Sequence, residues 1–203
     1  MILKGSQRGG AVQLAHHLMN TRDNDRVAIH DVRGFMADHL LGAFKEAYAV
    51  AKGTRCTQYL FSLSLNPPEK ARVSIAEFEA TINDIEQKLK LQNHPRAIVF
   101  HEKEGRRHAH VVWSRINPMT LKAQRMSHFK TKLRDISRAL YLEHGWKLPD
   151  GYVDEERRDP LNYGLTEYHQ AKRQKIDPKQ LKALLLDCWQ KSDSKSAFIN
   201  VLA

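Results

Sequence analysis

An α+β fold with a central antiparallel sheet flanked by helices is what this 203-residue chain predicts, and three observations predict it. Short apolar or alternating strands are interleaved with amphipathic helices. The best-defined pair of strands is joined by a two-residue turn, the chemistry of an antiparallel hairpin. No Gly-x-Gly-x-x-Gly or Walker-type loop marks a doubly wound parallel sheet.

Taken in order, Met1 to Lys4 reads as a short strand, and Gly5-Ser-Gln-Arg-Gly-Gly10 as a flexible turn. A helix follows from Ala11 to about Asn20, with Ala11, Leu14, Ala15 and Leu18 on its apolar side. Arg26 to Asp31 is a small strand. Met36 to Lys52 repeats apolar residues at helical period, Leu40, Phe44 and Tyr48 standing four apart, and Gly53 ends it. Thr57 to Leu65 is a strand closed by Asn66-Pro67-Pro68. Ser74-Ile-Ala-Glu77 is a capping box that opens a helix to about Leu91.

Ala97-Ile-Val-Phe100 and Arg107 to Ile116 then form two strands of a hairpin about Glu104-Gly105. A polar loop from Asn117 to Met126 leads to an amphipathic helix, Ser127 to His144, with a core stripe of Phe129, Leu133, Ile136 and Leu140. A Pro-, Gly- and charge-rich loop occupies the chain from Trp146 to about Gly164. Two or three helices close it, one started by Asp177-Pro178 and the last near Ser194. The division expected is a catalytic domain over residues 1–150 and a helical extension over 151–203. The last helix has no C-cap, so the natural protein is expected to continue.

The hairpin carries the chemistry. Centred on Glu104-Gly105, it sets His101 directly opposite His108, and cross-strand Cβ atoms stand about 5 Å apart. His110 shares their face because strand side chains alternate. Three neutral imidazoles on one face can hold a divalent metal with positions left open for substrate. Structural zinc is the closest rival, but Cys56 and Cys188 are isolated and offer no Cys-x-x-Cys spacing, which favours the open, catalytic-type site. Two cysteines without a framework, no apolar run of membrane length and no signal-peptide core predict a cytoplasmic protein. Thirty-three Lys and Arg against 23 Asp and Glu give a net charge of +10, which favours a polyanionic partner over a neutral one.

His101…His108-Ala-His110-Val-Val-Trp-Ser-Arg-Ile-Asn117 resembles the three-histidine motif of the HUH endonucleases, and in particular the relaxases of plasmid mobilisation and conjugation. Lys4 to Leu18 resembles the family's first motif, and Ser127 to Trp146 the helix after its metal hairpin. The resemblance implies a bacterial enzyme that nicks and rejoins single-stranded DNA at an origin of transfer, using Mg²⁺ or Mn²⁺, and stays covalently joined to the 5′ end. It also implies accessory relaxosome proteins and a type IV secretion coupling protein as partners, without membrane insertion.

The family's first motif carries a tyrosine nucleophile, and this chain has no tyrosine before Tyr48. Alignment places His17 there, with His16 beside it; a branch of relaxases uses histidine through a phosphoramidate. Tyr48 and Tyr59 remain alternative nucleophiles. Glu104 is the better candidate of the two turn carboxylates to orient a metal-bound imidazole, since Glu102 faces away. Arg8, Arg106 and Arg107 are expected phosphate contacts, as is the basic stripe Lys130, Arg134 and Arg138. Trp113 is expected in the core. A rolling-circle initiator or transposase of the same superfamily would instead use Tyr141, and a module that binds DNA without cutting it would need no nucleophile.

Overall fold

The computed structural model describes residues 1–153 and 159–202. They divide into two compact units, Met1–Lys147 and Leu148–Ala203.

The first unit is built on five strands: β1 (Ile2–Arg8), β2 (Arg26–Arg33), β3 (Leu60–Asn66), β4 (Arg96–Lys103) and β5 (Arg106–Ser114). They lie in the order β1-β3-β5-β4-β2, and every neighbouring pair is antiparallel. Four helices cover the sheet: α1 (Ala11–Leu18), α2 (Leu40–Lys52), α3 (Ile75–Leu89) and α4 (Phe129–Glu143). The α+β class and the antiparallel sheet are those the sequence predicts.

Alternation along the strands divides the apolar residues between two layers. Leu60, Ala97, Val99 and Val112 pack against Leu14 and Leu18 of α1 and Ala43, Phe44 and Ala47 of α2. Phe61, Leu63, Ile98, Phe100, Val111 and Trp113 face the other way, onto Phe78, Ile82 and Ile85 of α3 and Leu133, Ile136 and Leu140 of α4. Alternation puts His101, His108 and His110 on the α1–α2 face and Trp113 in the opposite core, as expected.

Two boundaries depart from the sequence reading for identifiable reasons. β1 runs through Gly5, Ser6 and Arg8 in register with β3, so the expected flexible turn shrinks to Gly9-Gly10. Gly5 is in the strand because α4 comes down on it: a Cβ there would stand 2.8 Å from Leu133 Cδ1 and from Phe61 Cζ. The second helix begins at Leu40 rather than Met36. Glu46 reaches back to accept from the Met36 and Ala37 amides at 2.8 and 2.6 Å, which holds that segment out of the helix.

The capping box of Ser74 and Glu77 opens α3 as read. The second unit contains α5 (Asp150–Val153), α6 (Leu165–Arg173), α7 (Pro178–Lys191) and α8 (Lys195–Val201). Asp177 caps α7 ahead of Pro178, and Ser194 caps α8. The short helix α5 interrupts the expected loop. Part of that loop, 154–158, and Ala203, which the sequence reading put in the last helix, lie outside the described residues.

The crowding at Gly5 yields a test. Gly5→Val should destabilise the protein by about 1–3 kcal/mol through overpacking, read as a lower urea midpoint.

Candidate metal and nucleic-acid site

The hairpin of β4 and β5 turns on Glu104 and Gly105, whose φ angles of 51° and 69° are both positive. That is the signature of a two-residue type I′ turn, whose twist matches that of the strands. It fixes the register: His101 pairs with His108, and Lys103 with Arg106 two pairs further out. His110 lies two pairs inward, opposite Val99. The three imidazole centroids are 5.2, 4.5 and 5.1 Å apart, and one ring nitrogen from each lies within 4.8 Å of the others.

His101 is buried, and its Nε2 sits 2.7 Å from the carbonyl oxygen of Leu18 at the end of α1. A carbonyl only accepts, so Nε2 carries the proton and Nδ1 is left as the atom able to bind a metal. A backbone carbonyl thus does the orienting work for which the sequence reading nominated Glu104. Glu104 occupies the turn, where its amide donates to Asp25 Oδ2 at 2.6 Å. Among the described residues its carboxylate has no contact with the histidines.

All three rings are held neutral. Burial is the first cause in each case: repulsion from His101 adds to it at His108, lowered to about 4, and at His110, lowered to about 3, while at His101 the Leu18 carbonyl works against the lowering and His17 works with it. The positive charges of Arg106 on His108 and Arg8 on His110 act in the same direction. Three unprotonated imidazoles with converging nitrogens fit a divalent cation.

The last turn of α1 brings His17 to the same place. Its ring is 6.5 Å from that of His110, edge to face, and it acts electrostatically on His101 and His110. His16 is exposed and makes no ring contact with the three histidines. The tyrosine candidates lie elsewhere. Tyr59 is buried at the Ala11 end of α1 without a hydrogen bond of normal geometry, and burial pushes its pKa up. Leu18, which touches His101, is about 10 Å further along that helix at 1.5 Å per residue. Tyr48 packs its ring on Tyr59, 5.8 Å between centroids. Tyr141, the candidate of the rolling-circle alternative, is buried on α4 against Trp146, on the other side of the sheet.

The basic candidates separate in the same way. Arg8 stands at the end of β1 with its Nε on Ser6 Oγ at 3.2 Å, close enough to act on His110. Arg106 shares the histidine face. Arg107 points to the opposite face, where Glu102 takes its Nε and Nη2 at 2.9 and 2.6 Å. Lys130, Arg134 and Arg138 are exposed on α4, which packs on the layer away from the histidines, so the fold does not bring this stripe to the site.

Three neighbours were not foreseen. Ser64 pairs with His110, and Lys4 pairs with Ser64, which makes one row across the sheet. Asn66 follows two residues further along β3, its Nδ2 on Ser64 Oγ at 3.0 Å. The signal was present in Phe61-Ser-Leu-Ser-Leu-Asn66, whose polar residues alternate with apolar ones. This half of the histidine face is polar where α1 and α2 do not cover it.

A family comparison accords with this arrangement. Residues 16–146, roughly two thirds of the chain, match the relaxase family described as MobA/VirD2-like, nuclease domain. The chain belongs to that family. No curated protein and no solved structure matches it. Membership supports a DNA-nicking relaxase nuclease domain that binds single strands; the family is metal-dependent, and the histidine cluster is a group able to hold a metal. Among the described residues no helix is long and apolar enough to cross a membrane.

The neutral cluster has a consequence for stability. The unfolded chain takes up protons on these histidines near the ordinary value of 6.5, while the folded metal-free protein resists them down to about 4 and 3 for His108 and His110. Their contribution to stability is therefore complete above pH 6.5 and lost as the pH falls toward 4. The urea midpoint of the metal-free protein should drop over that window, and the drop should be shallower in the His108→Gln, His110→Gln double variant.

Proposed function

We propose that this relaxase nicks one DNA strand at an origin of transfer, with a divalent ion on His101, His108 and His110 and His17 as the nucleophile. The observation that carries the reading is the nearness of His17 to the histidine cluster, in a first-motif helix that holds no tyrosine. When bound, Mg²⁺ or Mn²⁺ supplies charge neutralisation to the non-bridging oxygens of the scissile phosphate.

The chain's residues do the rest. Arg8 adds positive charge beside His110, where negative charge grows during the displacement. The His17 ring attacks phosphorus through an unprotonated nitrogen, and a P–N bond forms as the P–O3′ bond breaks. The electron pair leaves on the 3′ oxygen, which takes up a proton. The 5′ end stays on the imidazole as a phosphoramidate, and the 3′ hydroxyl can later reverse the step. The Leu18 carbonyl, one residue beyond His17, keeps His101 in a single tautomer throughout.

On this reading the enzyme works in the bacterial cytoplasm with accessory relaxosome proteins and hands its DNA to a type IV secretion coupling protein. Lys130, Arg134 and Arg138 then serve DNA outside the reaction centre.

Incubation with labelled single-stranded DNA containing the nick site and Mn²⁺ should give a covalent band that acid destroys. His17→Ala should lose that band while still binding DNA, and Tyr48→Phe should keep it. An acid-stable adduct on a tyrosine peptide would exclude the histidine. His108→Ala should remain folded by circular dichroism but show at least about tenfold weaker Mn²⁺ binding in calorimetry, as expected on losing one of three ligands.

A further inference from the structure

At the end of the sheet away from the Glu104-Gly105 turn, a cavity of about 230 Å³ opens between the segment that joins α3 to β4 and the loop that follows β5. It is smaller than the roughly 300–1,000 Å³ of sites that take whole small molecules, and its scale is that of one nucleobase. Arg96, where β4 begins, is roughly 17 Å from His101 at about 3.3 Å per residue. The cavity is therefore separate from the histidine cluster.

The buried residue in its lining is His94, 7% exposed. Its Nδ1 sits 2.8 Å from the carbonyl oxygen of Ser114, so Nδ1 carries the proton and Nε2 keeps a lone pair. Burial lowers its pKa and so keeps the ring neutral, while the Ser114 carbonyl and Glu86 act the other way. Among the described residues Nε2 has no hydrogen-bond partner, and it is not sealed from solvent. The amides around it are oriented too. Asn117 Oδ1 accepts from the Met119 and Thr120 amides at 2.9 and 3.2 Å, which leaves both Nδ2 hydrogens to donate. Gln124 Nε2 donates to the Arg125 carbonyl at 3.2 Å, which leaves Oε1 to accept. Lys90 and Lys122 add two positive charges. Main-chain bonds between Asn117 and Lys122 and the pairing of Ile116 with Ala123 pin the loop, so this pattern is set before any ligand arrives.

We infer that this cavity reads one unpaired keto base, guanine or thymine, of the single strand, at a position removed from the nick. The assignment rests on the single-strand binding of the nicking reading above and adds a residue that determines sequence. Guanine and thymine each carry a ring N–H beside a carbonyl on the edge used in base pairing. His94 Nε2 accepts that N–H, and Asn117 Nδ2 or a lysine donates to the carbonyl. Adenine and cytosine present a bare ring nitrogen at the same place, which would set two lone pairs against each other. A base already paired in a duplex has this edge occupied, so the cavity also selects single strands.

The test uses the full chain. Strands bound from a randomised single-stranded pool are sequenced. Each guanine or thymine of the selected strand is then replaced in turn by 1-methylguanine or 3-methylthymine, which lack the ring N–H. Methylation at one position should weaken binding roughly tenfold, within the usual range for a base-reading contact. His94→Asn keeps a donor for the Ser114 carbonyl but puts nothing in the place of Nε2. It should bind the unmethylated strand roughly tenfold more weakly and be indifferent to methylation at that position. Lys122→Ala, a change of an exposed side chain, should weaken the unmethylated strand more than the methylated one. A loss shared equally by both strands, no loss in His94→Asn, no methyl-sensitive position, or a sensitive position that flanks the cut overturns the assignment. Nicking is scored separately, as adduct formed with Mn²⁺. Bound strands that yield no adduct refute the nicking reading and leave the role of the cavity standing, whereas a chain that binds no single strand refutes both.

Discussion

The register of one hairpin governs this molecule. Strand side chains alternate with a period of two, so a slip of a single residue between β4 and β5 would turn His108 and His110 away from His101. They would enter the layer of Phe100, Val111 and Trp113, where α3 and α4 leave no room for polar rings. The type I′ turn excludes that slip, at the cost of holding Glu104, a residue with a Cβ, at positive φ. Two contacts secure it: Asp25 accepts from the Glu104 amide, and Arg72 donates to the Gly105 carbonyl.

The other end of the hairpin is anchored by a buried charge. Glu86 of α3 accepts from Arg96 Nη1 at 2.9 Å, Arg33 Nη2 at 2.9 Å and Trp113 Nε1 at 2.7 Å. Arg96 begins β4, Trp113 lies near the end of β5 and Arg33 ends β2, so one carboxylate ties three strands to one helix. A carboxylate buried this deeply is tolerable only because donors surround it and two of them are charged. Its directional bonds give a position that apolar packing alone would leave free to slide. The histidines therefore sit between two fixed ends.

The sequence showed most of this where a side chain or a period carried the information. The Glu104-Gly105 turn, the pairing of His101 with His108 and the core position of Trp113 were legible because turn type and alternation dictate them. What escaped was tertiary. Gly5 reads as flexibility in isolation, yet it is a contact point for Leu133. The stripe of Lys130, Arg134 and Arg138 has helical period, but no sequence pattern says which face of the sheet its helix will cover. Arg107, expected on phosphate, is instead paired with Glu102 across the hairpin. The partner of His101 has no signal at all, because the Leu18 carbonyl is backbone.

That carbonyl joins two parts of the site which a list of ligands would treat separately. The helix that presents His17 ends on the atom that orients His101, so the His17 ring and one ring of the histidine cluster share a mechanical reference. Any shift of α1 along its axis would move both. The apolar side of α1, Leu14, Ala15 and Leu18 against α2 and the sheet, prevents such a shift, since the interior is close-packed and resists small translations. Gly9-Gly10 lets the chain leave β1 and enter this helix within two residues, which places Arg8 beside His110. Packing thus sets the distance between His17 and the cluster, and the charges around it act on a geometry already fixed by apolar residues.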